Sequence, residues 1–261
     1  MRTIFWFRRL GDRLGTHQPR EIQREISPDT VGMDSAGEKI RNNKFLDYAR
    51  GKHVPHPRLV QQAEQRVPHS AWVLDHPLWQ VLGAPKLTKK RALQWVRQLD
   101  LDVQRFALSN GEVSMSTDRH TLDPLERRAS LDSLAALTIM LRLSLEQNNA
   151  SAAFGHASVI HRVLLMLGPM FERHTVAEQV FQIYVTRFFN PVRWEGQRIA
   201  LENYDYLTKS RLLEMLADEV REQSEPHAAR RLQSFYELQV LNGKRQQRAR
   251  GIFRLPTAEA K

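Results

Sequence analysis

The sequence predicts a mainly α-helical protein with a short two-helix hairpin near the N-terminus and a helical bundle after it. Beyond Ser130, leucines recur at spacings of three and four, the period of a helix with one apolar face. Between residues 41 and 68, a glycine and a proline separate two short segments with the same period. With 41% hydrophobic and 26% charged residues among 261, the composition is that of an ordinary globular protein. We therefore expect a basic N-terminal region over 1–129, a helical bundle over 130–241 and a basic tail over 242–261.

The N-terminal segment begins with an apolar cluster, Ile4 to Phe7, that is too short for a secretory signal or a membrane span. We expect this cluster to pack onto the core, with a partner contact as the alternative. Glycines and prolines are frequent from residue 11 to 40, so regular structure there should be limited to a helix near 19–26. The chain has no cysteine, which excludes disulfides and thiolate metal sites and suits a reducing, cytoplasmic location.

The N-terminal hairpin is predicted by two apolar stripes and the residues that bound them. Residues 43–50 should form a short helix with these positions on its inner side: Phe45, Leu46, Tyr48 and Ala49. Gly51 should close this helix in a left-handed conformation, and Pro57 suits the first turn of a second helix. The second helix should end before Pro68, and its stripe is formed by Leu59, Val60, Ala63 and Val67.

These two helices, joined by Gly-Lys-His-Val-Pro, resemble the latter half of a lambda-repressor-like helix-turn-helix domain. The resemblance implies a helix-turn-helix-like N-terminal region that reads double-stranded DNA. The residues that would face the major groove are Arg41, Asn42, Asn43 and Lys44, and those near phosphates are Arg50, Lys52 and His53. It also implies a homodimer, in which the bundle over 130–241 is the dimerising or effector-sensing part. The alternative is an ordinary helical hairpin with a solvated basic face.

A second basic segment follows an apolar patch that contains Trp72 and Trp79, both of which we expect in the core. Thr88 is the predicted N-cap of a helix, and no acidic residue occurs from 86 to 97. The helix begins with three cations: Lys89, Lys90 and Arg91. These side chains either extend an electrostatic footprint across phosphates or form a solvated helix face.

The remaining elements follow from turn residues and helical periods. Asn110-Gly111 predicts the turn of a short β-hairpin whose arms are FAL and VSM. Ser130 is the predicted N-cap of a long buried helix, and the next helix, within 151–171, should break or end near Gly168-Pro169. A third helix over 175–189, a loop over 190–197 and helices over about 203–221 and 226–241 complete the bundle.

Catalytic and metal sites have little support in the sequence. His156 and His161 are five residues apart, which departs from the spacing that places two ligands on one helix face. Neither GxxxxGK[ST] nor GxGxxG nor GxSxG occurs, and the acidic residues of the C-terminal half lie in separate segments. We therefore expect no metal, no cofactor and no enzymatic activity, although an enzyme is not excluded.

The charge balance favours an acidic partner. The formal net charge is +10. Part of it lies in the tail, which has no acid between 242 and 254 and contains Lys244, Arg245, Arg248, Arg250 and Arg254. Together with the hairpin, this charge predicts a DNA-binding regulator or DNA-directed accessory factor. The alternative is a helical adaptor or complex subunit whose basic face meets an acidic protein, with a further protein partner at the bundle.

Overall fold

Helices dominate the protein, and its strands are few and short, which confirms the predicted mainly α class. The computed structural model describes residues 1–28, 43–201, 204–223, 233–243 and 251–259. Contacts divide the chain into two units: unit 1 comprises Met1–His76 and Phe171–Val176, and unit 2 comprises Pro77–Met170 and Ala177–Lys261. The predicted organisation into 1–129, 130–241 and 242–261 concerns independent folding and stays a prediction.

Unit 1 is organised around its first helix. Its helices are α1 (Arg2–Leu14), α2 (Pro19–Ile26), α3 (Lys44–Ala49), α4 (Pro57–Arg66) and α5 (Ser70–Asp75). The first helix packs against α2, α3 and α5, and α4 packs against α2 and α5. Phe5, Trp6 and Phe7 are fully buried, so the N-terminal apolar cluster packs onto the core as predicted. Because aromatic rings bury large apolar areas, these three side chains account for much of this small core.

The expectation of irregular structure from residue 11 was wrong for the last turn of α1, whereas the predicted helix at 19–26 is confirmed. Gly11 lies inside α1 and is buried. A Cβ at this position would overlap the ring of His17 and the carbonyl oxygen of Thr16. Because Gly11 has no side chain, Thr16 and His17 can pack closely against the last turns of α1. Gly15, with φ 72°, ends α1 in the left-handed conformation.

Unit 2 is centred on one buried helix. Its first helices are α6 (Pro77–Gly83), α7 (Lys89–Val96), α8 (Leu101–Ala107), α9 (Arg119–Arg128) and α10 (Leu131–Glu146). Every residue of α10 from Ser133 to Ser144 is buried, and the helix packs against each of α6 to α9. A helix that is apolar all round is stable only when other elements surround it.

The local signals for turns and helix starts are confirmed. The Thr88 hydroxyl accepts a hydrogen bond from Arg91 N at 3.3 Å, and the Ser130 hydroxyl accepts one from Ser133 N at 3.1 Å. The predicted hairpin turn joins β1 (Leu108–Ser109) and β2 (Glu112–Val113). The predicted arms FAL and VSM were wrong for all but Leu108 and Val113, because Phe106 and Ala107 end α8 and β2 stops before Ser114. Both of its turn residues have positive φ, 50° at Asn110 and 80° at Gly111, as a tight two-residue turn requires.

Beyond α10, the order of elements differs from the prediction at the loop over 190–197 and in the tail, where strand β5 was not predicted. The chain forms α11 (Ala150–Arg173), α12 (Ala177–Ile183), a π-helical turn (Tyr184–Phe189), β3 (Arg193–Trp194), β4 (Gln197–Ile199), α13 (Tyr204–Glu222), α14 (Gln233–Leu241) and β5 (Thr257–Glu259). The predicted loop over 190–197 contains a hairpin turn in which Glu195 and Gly196 both have positive φ. Strand β4 pairs with both β3 and β5 in an antiparallel sheet. The start of the predicted helix over 226–241 lies outside the described residues, as do Lys244, Arg245, Arg248 and Arg250 of the tail.

The predicted break of α11 near Gly168-Pro169 was wrong, because α13 supplies the hydrogen bond that Pro169 cannot make. Proline has no N–H, so the carbonyl of Leu165, four residues earlier, loses its helical partner. The Ser210 hydroxyl donates a hydrogen bond to Leu165 O at 2.8 Å. Gly168 makes room for this contact, since a Cβ there would overlap Ser210 Oγ.

Helix α11 is long and apolar enough to cross a membrane, and it alone passes this test among the described residues. Of its most apolar window, 61% is buried inside the protein. Burial of this kind is also found in the core helices of globular proteins.

Candidate nucleic-acid interface

The hairpin of α3 and α4 presents polar and basic side chains to solvent while its aromatic residues fix it to the core of unit 1. Four residues predicted to contact DNA are exposed: Asn43, Lys44, Arg50 and Lys52. Phe45 and Tyr48 are 3% and 7% exposed and belong to the core that includes Trp6. The rings of Phe45 and Tyr48 lie 5.7 Å apart, and Tyr48 lies 6.4 Å from Trp6, both pairs edge-to-face. The exposed side chains therefore project from an anchored segment.

Gly51 closes α3 in the left-handed conformation, as predicted, with φ 69°. Lys52 N donates a hydrogen bond to Asp47 O at 2.9 Å, which completes the helix end. Gly51 also packs against α1, because an added Cβ would lie 2.8 Å from Ile4 Cγ1. This glycine thus fixes both the end of α3 and the direction in which Lys52 leaves the helix.

One carboxylate shares the exposed side of α3 with the cations. Asn43, Asp47 and Arg50 are spaced by four and three residues, so they lie on the same side of the helix. Asp47 Oδ1 lies 3.3 Å from Lys52 Nζ, and the two side chains are 24% and 56% exposed. An ion pair this exposed contributes little to stability, but it orients the lysine and reduces the local positive potential.

The linker between α3 and α4 is longer than the turn of a DNA-reading helix-turn-helix. Helix α3 ends at Ala49 and α4 begins at Pro57, whereas that turn has about three or four residues. Pro57 occupies the first turn of α4, as predicted, and His56 Nδ1 accepts a hydrogen bond from Arg58 N at 3.3 Å. His53, predicted near phosphates, is exposed in this linker. A long exposed linker suits contact with a phosphate backbone better than insertion of a helix into a groove.

Arg41 and Asn42, two of the residues predicted to face the major groove, lie outside the described residues. Asn43 and Lys44 are therefore the only members of that group whose surroundings are described. Asn43 is the N-cap residue of α3, and Lys44 is its first helical residue.

The second predicted basic segment lies at the start of α7, in unit 2. Lys89, Lys90 and Arg91 are all exposed, and the first turn contains no acidic residue. Cations at a helix N-terminus are repelled by the helix macrodipole, so this arrangement does not stabilise the helix. The Arg91 guanidinium lies over the Trp95 ring, 5.4 Å from its centroid. This cluster is a second positive surface, within unit 2, and the helix macrodipole does not stabilise its charges.

The two tryptophans of the apolar patch have different environments. Trp79 is 5% exposed and lies in the core, as predicted. The same expectation was wrong for Trp72, which is 36% exposed. Trp72 packs edge-on against His76, with 5.1 Å between ring centroids, so one side of the indole is covered while the other meets solvent.

Two histidines of unit 2, His156 and His161, are core residues. His156 Nδ1 lies 3.0 Å from Ser144 Oγ, and burial lowers the pKa of His156 to about 4. Burial also lowers the pKa of His161 to about 3. Both rings are therefore neutral at physiological pH. Within the described ranges, no group of three histidine, aspartate or glutamate side chains is placed to hold a metal ion.

Arg142 and Arg187 both line one pocket of unit 2. Their spacing along the sequence does not predict that they share a pocket. Arg142 interrupts an otherwise apolar helical run, and it is 6% exposed. A single arginine in such a run is a signal for a buried, hydrogen-bonded cation. The sequence contains no corresponding signal for its neighbour Arg187.

Comparison of the chain with protein-family models, curated proteins and solved structures gave no match.

Proposed function

We propose that this protein binds double-stranded DNA through the exposed side of its N-terminal hairpin, as a regulator or DNA-directed accessory factor. The observation that carries this proposal is the anchoring of α3. Phe45 and Tyr48 are buried, while Lys44, Arg50 and Lys52 reach solvent from the same short segment. A rigid segment that projects several cations can contact consecutive phosphates at a low entropic cost.

The proposed contacts divide into two kinds. Arg50 and Lys52 leave the closed end of α3 and are assigned to phosphates, which fix position without reading sequence. Asn43 and Lys44 stand at the start of the helix and are assigned to base edges, and Arg41 and Asn42 are assigned to them from the sequence alone. With the long linker after α3, recognition is expected to depend on DNA shape as well as on bases.

Lys89, Lys90 and Arg91 are proposed to contact phosphates as a second positive surface, within unit 2. These residues are exposed, no acid neutralises them in the first turn of α7, and they oppose the helix macrodipole. We also propose a homodimer formed through residues 130–241 and a cytoplasmic location, both of which rest on the sequence.

The test compares two double variants of the full-length chain. Asn43→Ala with Lys44→Ala should reduce the preference among duplexes, and each lost base contact should cost about 1 to 3 kcal/mol on a preferred site. Arg50→Ala with Lys52→Ala should weaken binding to all duplexes alike and lower the salt slope by roughly one per lost phosphate contact. Fluorescence anisotropy across a salt series measures both effects.

A matched control separates contact from net charge. Arg20→Ala with Arg24→Ala removes two exposed cations from α2 of the same unit. DNA binding predicts that this control keeps a higher affinity than the Arg50 and Lys52 variant. Conversely, Asp47→Asn should tighten binding, since it removes the carboxylate from the exposed side of α3. Absence of duplex binding by the wild type at low salt would reject the proposal.

An adaptor function is the second candidate, and apolar exposure in unit 1 favours it. Val54, in the linker after Lys52, is 56% exposed, and Trp72 is 36% exposed. Such side chains beside cations suit a surface that meets an acidic protein. Binding that tolerates high salt but is lost in Val54→Ser would support this function, because DNA contacts depend on salt far more than on an apolar side chain.

A further inference from the structure

A pocket of about 410 Å³ in unit 2 is lined by two arginines and one acid: Arg142, Arg187 and Glu146. Arg142 is 6% exposed and Arg187 is exposed. The two cations and one anion give the lining a net charge of +1. The lining of this pocket shares no residue with either of the basic surfaces proposed to meet DNA.

Both guanidinium groups are held in place by backbone carbonyls at the end of α6. Arg142 Nη1 donates to Val81 O at 2.7 Å, and Arg187 Nη1 donates to Leu82 O at 2.7 Å. Arg187 Nη2 also lies 3.4 Å from Ala84 O. A guanidinium has five N–H groups, so these bonds leave donors on both arginines for another acceptor.

Both cations line the same pocket, and neither forms an ion pair with a carboxylate in the part of the chain that the structure describes. The ion pairs found among the described residues include neither Arg142 nor Arg187. Burial, and then the charge of Arg187, lowers the pKa of Arg142, while Glu146 opposes this effect. Two like charges in a partly dry site repel each other, and a bound anion would convert the repulsion into attraction.

The pocket is partly formed by a helical turn of unusual type. Arg187 and Phe188 lie in the π-helical turn Tyr184–Phe189, a conformation that is rare in proteins and is found frequently at functional sites. The Phe188 ring is 3% exposed, and the guanidinium carbon of each arginine lies 5.9 Å from its centroid. Phe188 therefore contacts both cations, and each gains a cation–π interaction with the same ring.

The rest of the lining is apolar and consists of Pro85, Leu145, Phe188 and Pro191. The volume, about 410 Å³, lies within the range of small-molecule sites. Guanidinium groups recognise carboxylates and phosphates through paired hydrogen bonds. A ligand that fits this lining has an oxyanion head and a short apolar body.

We propose that the pocket between Arg142 and Arg187 binds a small organic acid, whose carboxylate or phosphate-type head lies on the two guanidinium groups. The body of the ligand packs on Leu145 and the two prolines. Glu146 lines the same pocket, and its carboxylate repels the anionic head of the ligand and so limits the affinity. Without a ligand, the two arginines serve only to cap the carbonyls at the end of α6.

The test uses butyrate and propylphosphonate as probes, with sodium chloride at matched ionic strength as the reference. Titration calorimetry of the full-length protein should show saturable binding of at least one probe, and the better probe identifies the head group. Arg187→Gln should weaken binding by about tenfold or more, because a charge-assisted pair of hydrogen bonds is lost. Arg105→Gln, which removes an exposed arginine from α8, is the matched control and should leave affinity unchanged.

A second variant keeps the proposal testable if Arg187→Gln disturbs the fold. Glu146→Gln changes an exposed side chain and should tighten binding by about threefold, since it removes the repulsion between this carboxylate and the ligand. A capping role alone predicts no such gain. Failure of both probes to bind the wild type saturably, or weaker binding by Glu146→Gln, would overturn the proposal.

Discussion

Gly51 is subject to two constraints that different substitutions can separate. Its φ of 69° penalises any side chain, and the neighbouring Ile4 leaves no room for a Cβ. We expect Gly51→Val to destabilise unit 1 by about 1 kcal/mol or more, since a β-branched residue is disfavoured at positive φ. Chemical denaturation followed by circular dichroism measures the loss.

The control for this prediction is Gly15, which closes α1 with φ 72° but has no atom within 4 Å of an added Cβ. Gly51→Ala should therefore cost more than Gly15→Ala, and the difference gives the cost of the contact with Ile4. Equal costs would show that only the backbone conformation matters at residue 51.

Ser210 is the residue on which the continuity of α11 depends. Its hydroxyl supplies the hydrogen bond that Leu165 O loses to Pro169, and it is 2% exposed. Ser210→Ala should lower the free energy of unfolding by about 1 to 3 kcal/mol, the cost of a buried unsatisfied carbonyl. The measurement is urea unfolding of wild type and variant.

Ser158 provides the comparison. Its hydroxyl donates to Phe154 O within α11 at 2.9 Å, and this acceptor lies far from the proline. Ser158→Ala should change stability by less than Ser210→Ala, because no proline removes the helical partner of Phe154 O. A loss from Ser158→Ala as large as that from Ser210→Ala would contradict the special role of Pro169.

At the scale of elements, α14 carries a buried acid that makes stability depend on pH. Burial, and then the charges of Glu214 and Asp218 on α13, raise the pKa of Glu237 to about 8. A carboxyl whose pKa is raised on folding keeps its full contribution below its unfolded pKa of about 4.5 and loses it as pH rises towards 8.

Glu237→Gln should therefore raise the unfolding temperature at pH 8 and change it little at pH 4.5, with a gain of about 1 kcal/mol or more at the higher pH. Glu219→Gln, at an exposed position of α13, is the control and should show no such dependence. Calorimetry at the two pH values measures the effect. An equal effect at both pH values would mean that Glu237 is ionised throughout.

An element can be predicted from sequence when the residues that determine it lie close together along the chain. It cannot when they lie far apart. Thr88, Ser130 and Gly51 act on residues within their own turn, so their caps could be predicted from neighbours alone. A proline such as Pro169 breaks an isolated helix. Helix α11 tolerates it because of the hydrogen bond from Ser210, which lies forty-one residues further along the chain. Pairing of β4 with β5 likewise joins distant segments.

The candidate sites follow the same pattern. The exposure of Lys44 and the burial of Phe45 and Tyr48 follow from the helical period and could be predicted. The meeting of Arg142 with Arg187 depends on the packing of α10 against the π-helical turn, which no local period encodes. The exposed side of a helix can thus be predicted from sequence more readily than the lining of a pocket.

At the scale of the whole molecule, the contacts of α10 bear on how the chain can be divided. The predicted bundle begins at residue 130, yet α10 packs against α6 to α9, which precede it. We expect a fragment of residues 77–261 to unfold cooperatively and a fragment of residues 130–241 to lack a cooperative transition, because the shorter one exposes the apolar surface of α10. The test is to express both fragments and to measure by thermal unfolding whether each shows a cooperative transition. A cooperative transition in the shorter fragment would support the division at 130.

The hydrogen bond between Ser210 and Leu165 also sets an order of events during synthesis. When residue 169 leaves the ribosome, α13 has not yet been made, so the turn of α11 around Pro169 has no partner for its free carbonyl except water. The Tyr206 hydroxyl, which donates to Leu164 O at 2.7 Å, arrives at the same late stage. The nascent chain should therefore complete α11 only after α13 has emerged, and the two helices should appear together in a refolding experiment followed by hydrogen exchange.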